Sequence, residues 1–362
     1  MENQQNKVLL DCRFWGPANT GLGRYSQELV KAMRRLKPRL KLIFLTPKLT
    51  AIKPYSWAEQ RCLSGTVGKY SPDLTHFLHF NVPLNFSGPF VVTIHDLIKH
   101  HSQGLATTTH WPGTYWIKRL GYYLVIRKAV MQSKAIFVPS RWVKEDILAH
   151  YPTDKNKIFI TPEAARQTFF ASKKTAALPY PYFIYVGNAY PHKNVIQLIK
   201  AIQISSKEFP KLKLVIVTGR DWFYRQLRQE ITKLNAQNTV KLKDFTADQD
   251  LAVLYQGATA FVTASYFEGF GLPGLEAMAA GTLVISSNRA ALPQTYGKHA
   301  VYFDPDNLDE LVAKMKQVLT LSATIRKKRL TASRAFCRQY SWTKTAQQTV
   351  EVYESCLGLR SS

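Results

Sequence analysis

Apolar residues in this chain come in short blocks separated by segments of helical period. The first block, Val8-Leu9-Leu10, runs into "WGPANTGLGRYSQELVKAMRRL", where Tyr25, Leu29, Met33 and Leu36 recur at helical spacing. This reads as strand, glycine loop, helix. Further blocks at 41–46 (KLIFLT), 89–97 (PFVVTIHDL) and 135–140 (AIFVPS) are β-branched and apolar on both faces, as buried parallel strands are. A Lys-Ala-Pro stretch at 171–181 reads as a linker, after which the pattern restarts. Strands are predicted at 182–187, 211–219, 240–245, 258–265, 282–287 and 300–305, with helices at 195–208, 221–235, 248–256, 273–280 and 307–321. A last helix at 342–359 puts Thr349, Val352, Tyr353 and Cys356 on one face. The alternation predicts an α/β chain of two doubly wound, Rossmann-like domains facing across a cleft, at 1–175 and 176–344, with a C-terminal helix, 345–362, free to return to the first.

Composition agrees with a folded two-domain chain: 362 residues exceed one ordinary core, 46% of them are hydrophobic, and mean hydropathy is −0.19. No apolar run approaches the ~20 residues that span a bilayer. The start, "MENQQNKVLLDCRF", lacks the pattern of a secretory signal. Cys12, Cys62, Cys337 and Cys356 are scattered without C-x-x-C spacing, which points to reduced thiols and a cytoplasmic location. Charge adds more: a formal +25 implies an anionic partner, whether nucleic acid, an acidic membrane surface or a phosphorylated substrate. Residues 1–180 hold 26 basic against 10 acidic side chains, so the excess is heavier in the first half.

The candidate chemistry centres on "SYFEGFGLPGLEAMAAG", 265–281. A strand exits into a glycine loop, and Pro273 suits the first turn of the helix that follows. Free amides at that helix start, approached closely because Gly269, Gly271 and Gly274 lack side chains, make an anion site. Glu268 stands at the strand exit and Glu276 in the first helical turn. Carboxylates beside a phosphate site can bind sugar hydroxyls; taken singly, Glu276 complements the helix dipole and Glu268 is solvated.

The block E-G-F-G-L-P-G-L-E resembles the E-x7-E signature of family 4 of the retaining glycosyltransferases, whose two-domain fold is GT-B. "GLGRYSQEL" (21–29), "TIHDL" (93–97), "FVPSRWVKEDI" (137–147), "YVGNAYPHKN" (185–194) and "AVYFDPDNLDELV" (300–312) follow in that family's order, so the similarity spans nearly the whole chain. The resemblance implies a hexosyltransferase that moves a sugar from a nucleotide-sugar donor, of GDP-mannose or UDP-hexose type, to a glycan or lipid-linked acceptor in polysaccharide or glycolipid assembly. It places Lys193 on the donor diphosphate, Glu268 near the transferred sugar, Glu276 on the nucleotide ribose and His95 near the transferred sugar. The amides of Phe270, Gly271 and Leu272 meet the diphosphate, and Gly21, Gly23, Gly187, Asn188, Arg220 and Phe245 complete the donor-binding set. Three positions depart from the family: Asn188 replaces a frequent arginine, Asp244 a usual glycine and Gln294 a frequent glutamate. Arg220 is then the candidate to replace the missing cation.

No metal or other cofactor is expected. Asp248-Gln249-Asp250 lies where Thr246 and Gln249 have capping-box spacing, and Asp304-Pro305-Asp306 reads as a turn. His76 with His79, and His100-His101, lack a full zinc ligand set. The segment 114–134 mixes aromatic and aliphatic residues with Lys118, Arg119, Arg127, Lys128 and Lys134, so it suits either a core helix or an anionic bilayer at the inner face of the cytoplasmic membrane. Competing readings are a glycoside hydrolase using the two glutamates, a basic nucleic-acid-binding protein, and a family member with impaired catalysis. The first leaves Lys193 and the glycine loop unexplained, and the second lacks a recognition motif, so no nucleic-acid partner is expected.

Overall fold

The computed structural model describes residues 5–15, 21–102, 104, 112–171, 178–244 and 246–359. In chain order the elements are β1 (Lys7–Asp11), α1 (Gly21–Leu36), β2 (Lys41–Leu45), α2 (Trp57–Gly68), β3 (Leu74–Phe77), β4 (Phe90–Thr93), α3 (Ile98–His101), α4 (Pro112–Gln132), β5 (Ile136–Val138), α5 (Arg141–His150) and β6 (Ile158–Ile160). There follow α6 (Gln167–Ala171), β7 (Tyr182–Val186), α7 (Val195–Glu208), β8 (Lys213–Val217), α8 (Trp222–Lys233), β9 (Val240–Lys243), α9 (Asp248–Gly257), β10 (Ala260–Thr263) and α10 (Leu272–Ala280). The chain ends with β11 (Val284–Ser287), α11 (Leu292–Tyr296), β12 (Ala300–Phe303), α12 (Leu308–Leu319), α13 (Ala323–Cys337) and α14 (Trp342–Cys356).

Contacts divide the chain into two units. One comprises Met1–Leu97, His110–Glu163 and Ser341–Ser362; the other comprises Ile98–Thr109 and Ala164–Tyr340. The division thus falls at 163/164 and 340/341 rather than at 175/176 and 344/345. The reason is α6, whose Phe169 is fully buried in the second unit's core, so the chain enters that unit before the expected linker. Most of that linker, 172–177, lies outside the described residues.

The first unit is a parallel sheet in the order β2-β1-β3-β4-β5-β6. On one face α1 and α14 pack together, burying Tyr25, Leu29, Val30 and Met33 with Ala346, Val350, Val352 and Tyr353. A buried polar chain runs through this layer. Tyr353 Oη hydrogen-bonds His76 Nδ1, His76 Nε2 lies 2.8 Å from Thr93 Oγ1, and Thr93 lies 3.2 Å from Tyr25 Oη. Burial pushes His76 down to about 3, with His95 adding to the effect, so the imidazole is neutral. The opposite face is covered by a cluster that includes Leu63 of α2, Ile126 and Val130 of α4, and Val143 and Ile147 of α5. β4 stops at Thr93 rather than running on to 97, so His95 lies two residues past the strand.

The second unit is a parallel sheet in the order β12-β11-β10-β7-β8-β9, with one cluster on each face. Its strand order reverses between β7 and β10, and that of the first sheet between β1 and β3. Such reversals open a crevice at the carboxyl ends of neighbouring strands, where open α/β sheets bind ligands.

Candidate active site

The β7/β10 reversal gathers the block around Lys193 and the block around Glu268. Leaving β7, Gly187 takes φ 149, and a Cβ there would lie 3.0 Å from Tyr185 Oη. That hydroxyl donates to the Asn188 carbonyl at 2.6 Å. A single 3-10 turn, Pro191–Lys193, then leads to Asn194 at φ 50, whose amide donates to Pro305 O at 3.1 Å. Leaving β10, the Ser265 hydroxyl lies 2.9 Å from Thr263 Oγ1 and donates to Glu268 Oε1 at 3.0 Å. Tyr266 N–H donates to His192 O at 2.8 Å and ties the two loops together. The outcome is an ion pair: Lys193 Nζ lies 2.6 Å from Glu268 Oε1, with side chains 15% and 18% exposed. Burial, and next the Lys193 charge, push the neighbouring His192 down to about 4, so it adds no positive charge at neutral pH. Asn188 Oδ1 is buried at the same strand end without a hydrogen-bond partner among the described residues, an unmet demand for a donor.

The glycines of the loop serve a purpose the sequence did not reveal. Gly271 sits at φ 95, and a Cβ on it would come within 2.5 Å of Leu292 Cδ2 and Tyr296 Oη. A Cβ on Gly274 would come within 2.3 Å of the same hydroxyl. Tyr296 Oη donates to Gly271 O at 2.6 Å and accepts from the Gly274 N–H, and burial raises the phenol far above its ordinary value. Gly271 and Gly274 therefore make room for Tyr296 from inside, which corrects the expectation that they open the loop to a ligand. The Gly274 amide is thus engaged and Pro273 has no N–H, so neither serves as a donor to an anion at this loop. Phe270 is anchored by an edge contact to Tyr340 at 5.5 Å.

Glu276 also differs from expectation. α10 begins at Leu272, so Glu276 lies past the first turn, and it is 1% exposed. The expected first-turn position is thereby replaced by a buried one further into the helix. Arg220 does not stand ready to replace an absent cation. It is paired with Asp244: Nε donates to Oδ1 at 2.7 Å and Nη2 to Oδ2. Those hydrogen bonds hold the Asp244 carboxyl below its usual range. The family departure at Asp244 and the candidate replacement cation are thus joined in one exposed pair, whereas Phe245 lies outside the described residues.

Gly21, Gly23 and His95 belong to the first unit. A Cβ on Gly21 would meet nothing within 4 Å among the described residues, and Gly23 is buried. His95 Nε2–H donates to Leu78 O at 3.0 Å, Nδ1 lies 3.4 Å from Glu163 Oε1, and the Tyr25 ring packs edge-on at 4.6 Å. The aspartate strings have protein partners: Asp248 pairs with Arg166, and Arg289 bridges Asp304 at 3.0 Å and Asp306 at 3.2 Å. The expected capping box is absent, because the N-cap of α9 is Ala247 and Thr246 Oγ1 donates to Asp244 O. Sequence reasoning missed Ser265, Thr263 and Tyr296. The available signal was Ser265, three residues before Glu268 at a strand exit.

Residues 167–335 match the family profile described as glycosyl transferases group 1, and residues 19–164 match that of glycosyltransferase family 4. Among curated relatives, O-antigen chain mannosyltransferase B of Escherichia coli is 26% identical over 377 aligned residues, covering 92% of this chain and 96% of the relative. A GDP-mannose:cellobiosyl-diphosphopolyprenol alpha-mannosyltransferase of Xanthomonas oryzae pv. oryzae is 29% identical over 192 residues, covering 51% of this chain and 49% of its own. Among solved structures, sucrose-phosphate synthase from Thermosynechococcus elongatus superposes with a TM-score of 0.78 at 19% identity, covering 98% of this chain and 100% of that one. With both doubly wound sheets and both family profiles present, the chain belongs to family 4 of the glycosyltransferases and has the GT-B fold.

Proposed function

We propose that this glycosyltransferase is a retaining, metal-independent hexosyltransferase. It takes a sugar from a nucleotide-sugar donor, of GDP-mannose or UDP-hexose type, and gives it to a glycan or lipid-linked acceptor in cell-surface polysaccharide or glycolipid assembly. The Lys193–Glu268 pair at the β7/β10 reversal carries this reading. Lys193 neutralises the diphosphate as the bond from the sugar's anomeric carbon to its phosphate oxygen breaks, aided by the amides of Phe270, Gly271 and Leu272. Glu268 orients the sugar, Glu276 takes the ribose hydroxyls, and the unpartnered Asn188 Oδ1 is an acceptor for a ligand hydroxyl. The acceptor oxygen attacks on the face the diphosphate leaves, and the departing phosphate takes its proton. Gly187, at the exit of β7 beside Lys193, lines the donor. The mannosyltransferase relatives support a mannose-type donor.

A thermal-shift screen of GDP-mannose and UDP-, ADP- and dTDP-glucose tests the reading. One of them at ~100 times its Kd adds about 2.7 kcal/mol, on the order of 5 °C or more in Tm. Turnover of that donor is expected to persist in EDTA. No stabilisation by any of the four would overturn the transferase reading, and stabilisation without turnover would identify a catalytically impaired member, the reading that the Arg220–Asp244 pairing favours.

The outer face of α4 supports a peripheral position on the inner, anionic face of the cytoplasmic membrane. Tyr122, Val125, Ile126, Ala129 and Val130 are buried, but Trp116 is 64% exposed, Ile117 68% and Leu120 62%, with Lys118 and Arg127 exposed beside them. No helix among the described residues is long and apolar enough to cross a membrane. An exposed apolar stripe flanked by cations suits the interface of an anionic bilayer. Liposomes containing anionic lipid are expected to float the protein in low salt, and Leu120→Glu to abolish flotation. Equal flotation with neutral lipid alone, or none at all, would sink this placement.

A further inference from the structure

The β1/β3 reversal of the first sheet holds an assembly that no sequence motif announced. Just past β1, the Arg13 guanidinium is buried between two carboxylates. Its Nε donates to Asp11 Oδ1 at 2.8 Å, and its Nη2 donates to Asp11 Oδ2 and to Glu59 Oε1, each at 2.7 Å. The other Glu59 oxygen accepts from Tyr55 N–H at 2.8 Å and from Asn81 Nδ2 at 3.3 Å. Three desolvated charges are a poor way to gain stability, since apolar side chains of similar volume do as well or better. What these charges do is hold Tyr55 at φ 62, a left-handed conformation that a bulky side chain rarely adopts. The strained residue is not buried: Tyr55 is 59% exposed. Phe14 from the β1 exit meets it edge-on at 5.8 Å, and His79 from the β3 exit meets it edge-on at 5.6 Å. Tyr55 Oη lies 3.2 Å from His79 Nε2, and the His79 ring lies nearly parallel to His95 at 6.4 Å.

We propose that Tyr55, seated on Phe14 and His79, is an aromatic platform for a hexopyranose ring of the acceptor. The C–H face of a hexopyranose is apolar and its rim carries hydroxyls. An outward-facing tyrosine beside an imidazole, a carboxamide and a strand-end crevice offers both kinds of contact. His79 then links the platform to His95, so the ring lies within one imidazole of the residue assigned to the transferred sugar. The choice of an acceptor sugar rests on the transferase reading; the platform itself rests on the geometry of the first unit.

The test is saturation-transfer NMR on the full chain with methyl α-D-mannopyranoside and methyl β-D-glucopyranoside, using wild type, Tyr55→Phe and Tyr55→Gly. Saturation of the C–H protons of at least one glycoside is expected in wild type and Tyr55→Phe, and a fall of at least fivefold in Tyr55→Gly. Glycine relaxes the positive φ, so the Tm of Tyr55→Gly is expected to equal or exceed that of wild type, an outcome that loss of a structural residue would not give. Equal saturation in Tyr55→Gly, or none in wild type with either glycoside, would overturn the platform. Nucleotide-induced thermal shifts, measured in all three proteins, separate the two readings: Tyr55-dependent saturation without any nucleotide response keeps the platform and removes the transferase.

Discussion

Lys193→Ala is expected to lower kcat by about 10²–10³-fold, the range for removing one preorganised electrostatic contact to a charge that develops in the transition state. The ammonium lies 2.6 Å from Glu268 on the 3-10 turn that follows β7, and Tyr266 N–H to His192 O fixes that turn against the opposite loop. Its position is therefore set before any ligand arrives. Because the charge on the leaving diphosphate grows as the glycosidic bond breaks, kcat is expected to fall more than KM for the donor rises. Folding supplies the control. The pair is partly exposed, so its loss costs at most about 1 kcal/mol and moves Tm by a few degrees. Steady-state kinetics with the donor identified by thermal shift provide the check. A kcat within threefold of wild type would show that Lys193 does not act on the leaving group.

Arg13→Leu is expected to destabilise the first unit by about 3–5 kcal/mol, the usual consequence of taking one partner from a buried ion cluster. The substitution leaves Asp11 and Glu59 facing each other without a cation, in a setting where burial already raises the Glu59 carboxyl despite the Arg13 charge. Removing that charge raises it further. A carboxyl whose folded value lies above its unfolded value carries its full penalty above the folded value and sheds it as pH falls through that value. The deficit of the variant is therefore expected to shrink between pH 7 and pH 5. Urea unfolding at both values, followed by tryptophan fluorescence, tests this. A deficit that is constant or grows on acidification would contradict the account of Glu59.

Much of the architecture was legible because parallel strands buried on both faces are contiguous apolar blocks, and the segments between them keep helical period. Two strands escaped for physical reasons. β3, Leu74–Phe77, contains Thr75 and His76, and the histidine is tolerable inside only because Tyr353 and Thr93 partner it. β6, Ile158–Ile160, is a three-residue edge strand in which Phe159 and Ile160 are both exposed. α13 escaped as well, since its buried positions are Ser333 and Cys337 rather than an apolar stripe. In the site, Lys193 and the glutamate block stood out as motifs, but their being partners did not.

The sequence by itself determined what depends on neighbours along the chain: the two βα arrays, the glycine loop that starts α10, and the family block with its two glutamates. Only the tertiary structure decided what each charge and each glycine faces. Arg220 was open to a phosphate until Asp244, 24 residues on, was found to hold it. Gly271 and Gly274 looked like openings to a ligand until Tyr296 filled the space behind them. Glu276 looked like a first-turn acid until the structure put it past that turn and buried it. Arg13 and Glu59 carried no local signal, because ion pairing between residues 46 apart leaves no periodicity to read. Periodicity reports which face of an element is buried; the identity of the group packed against that face is set only when the strands are laid side by side.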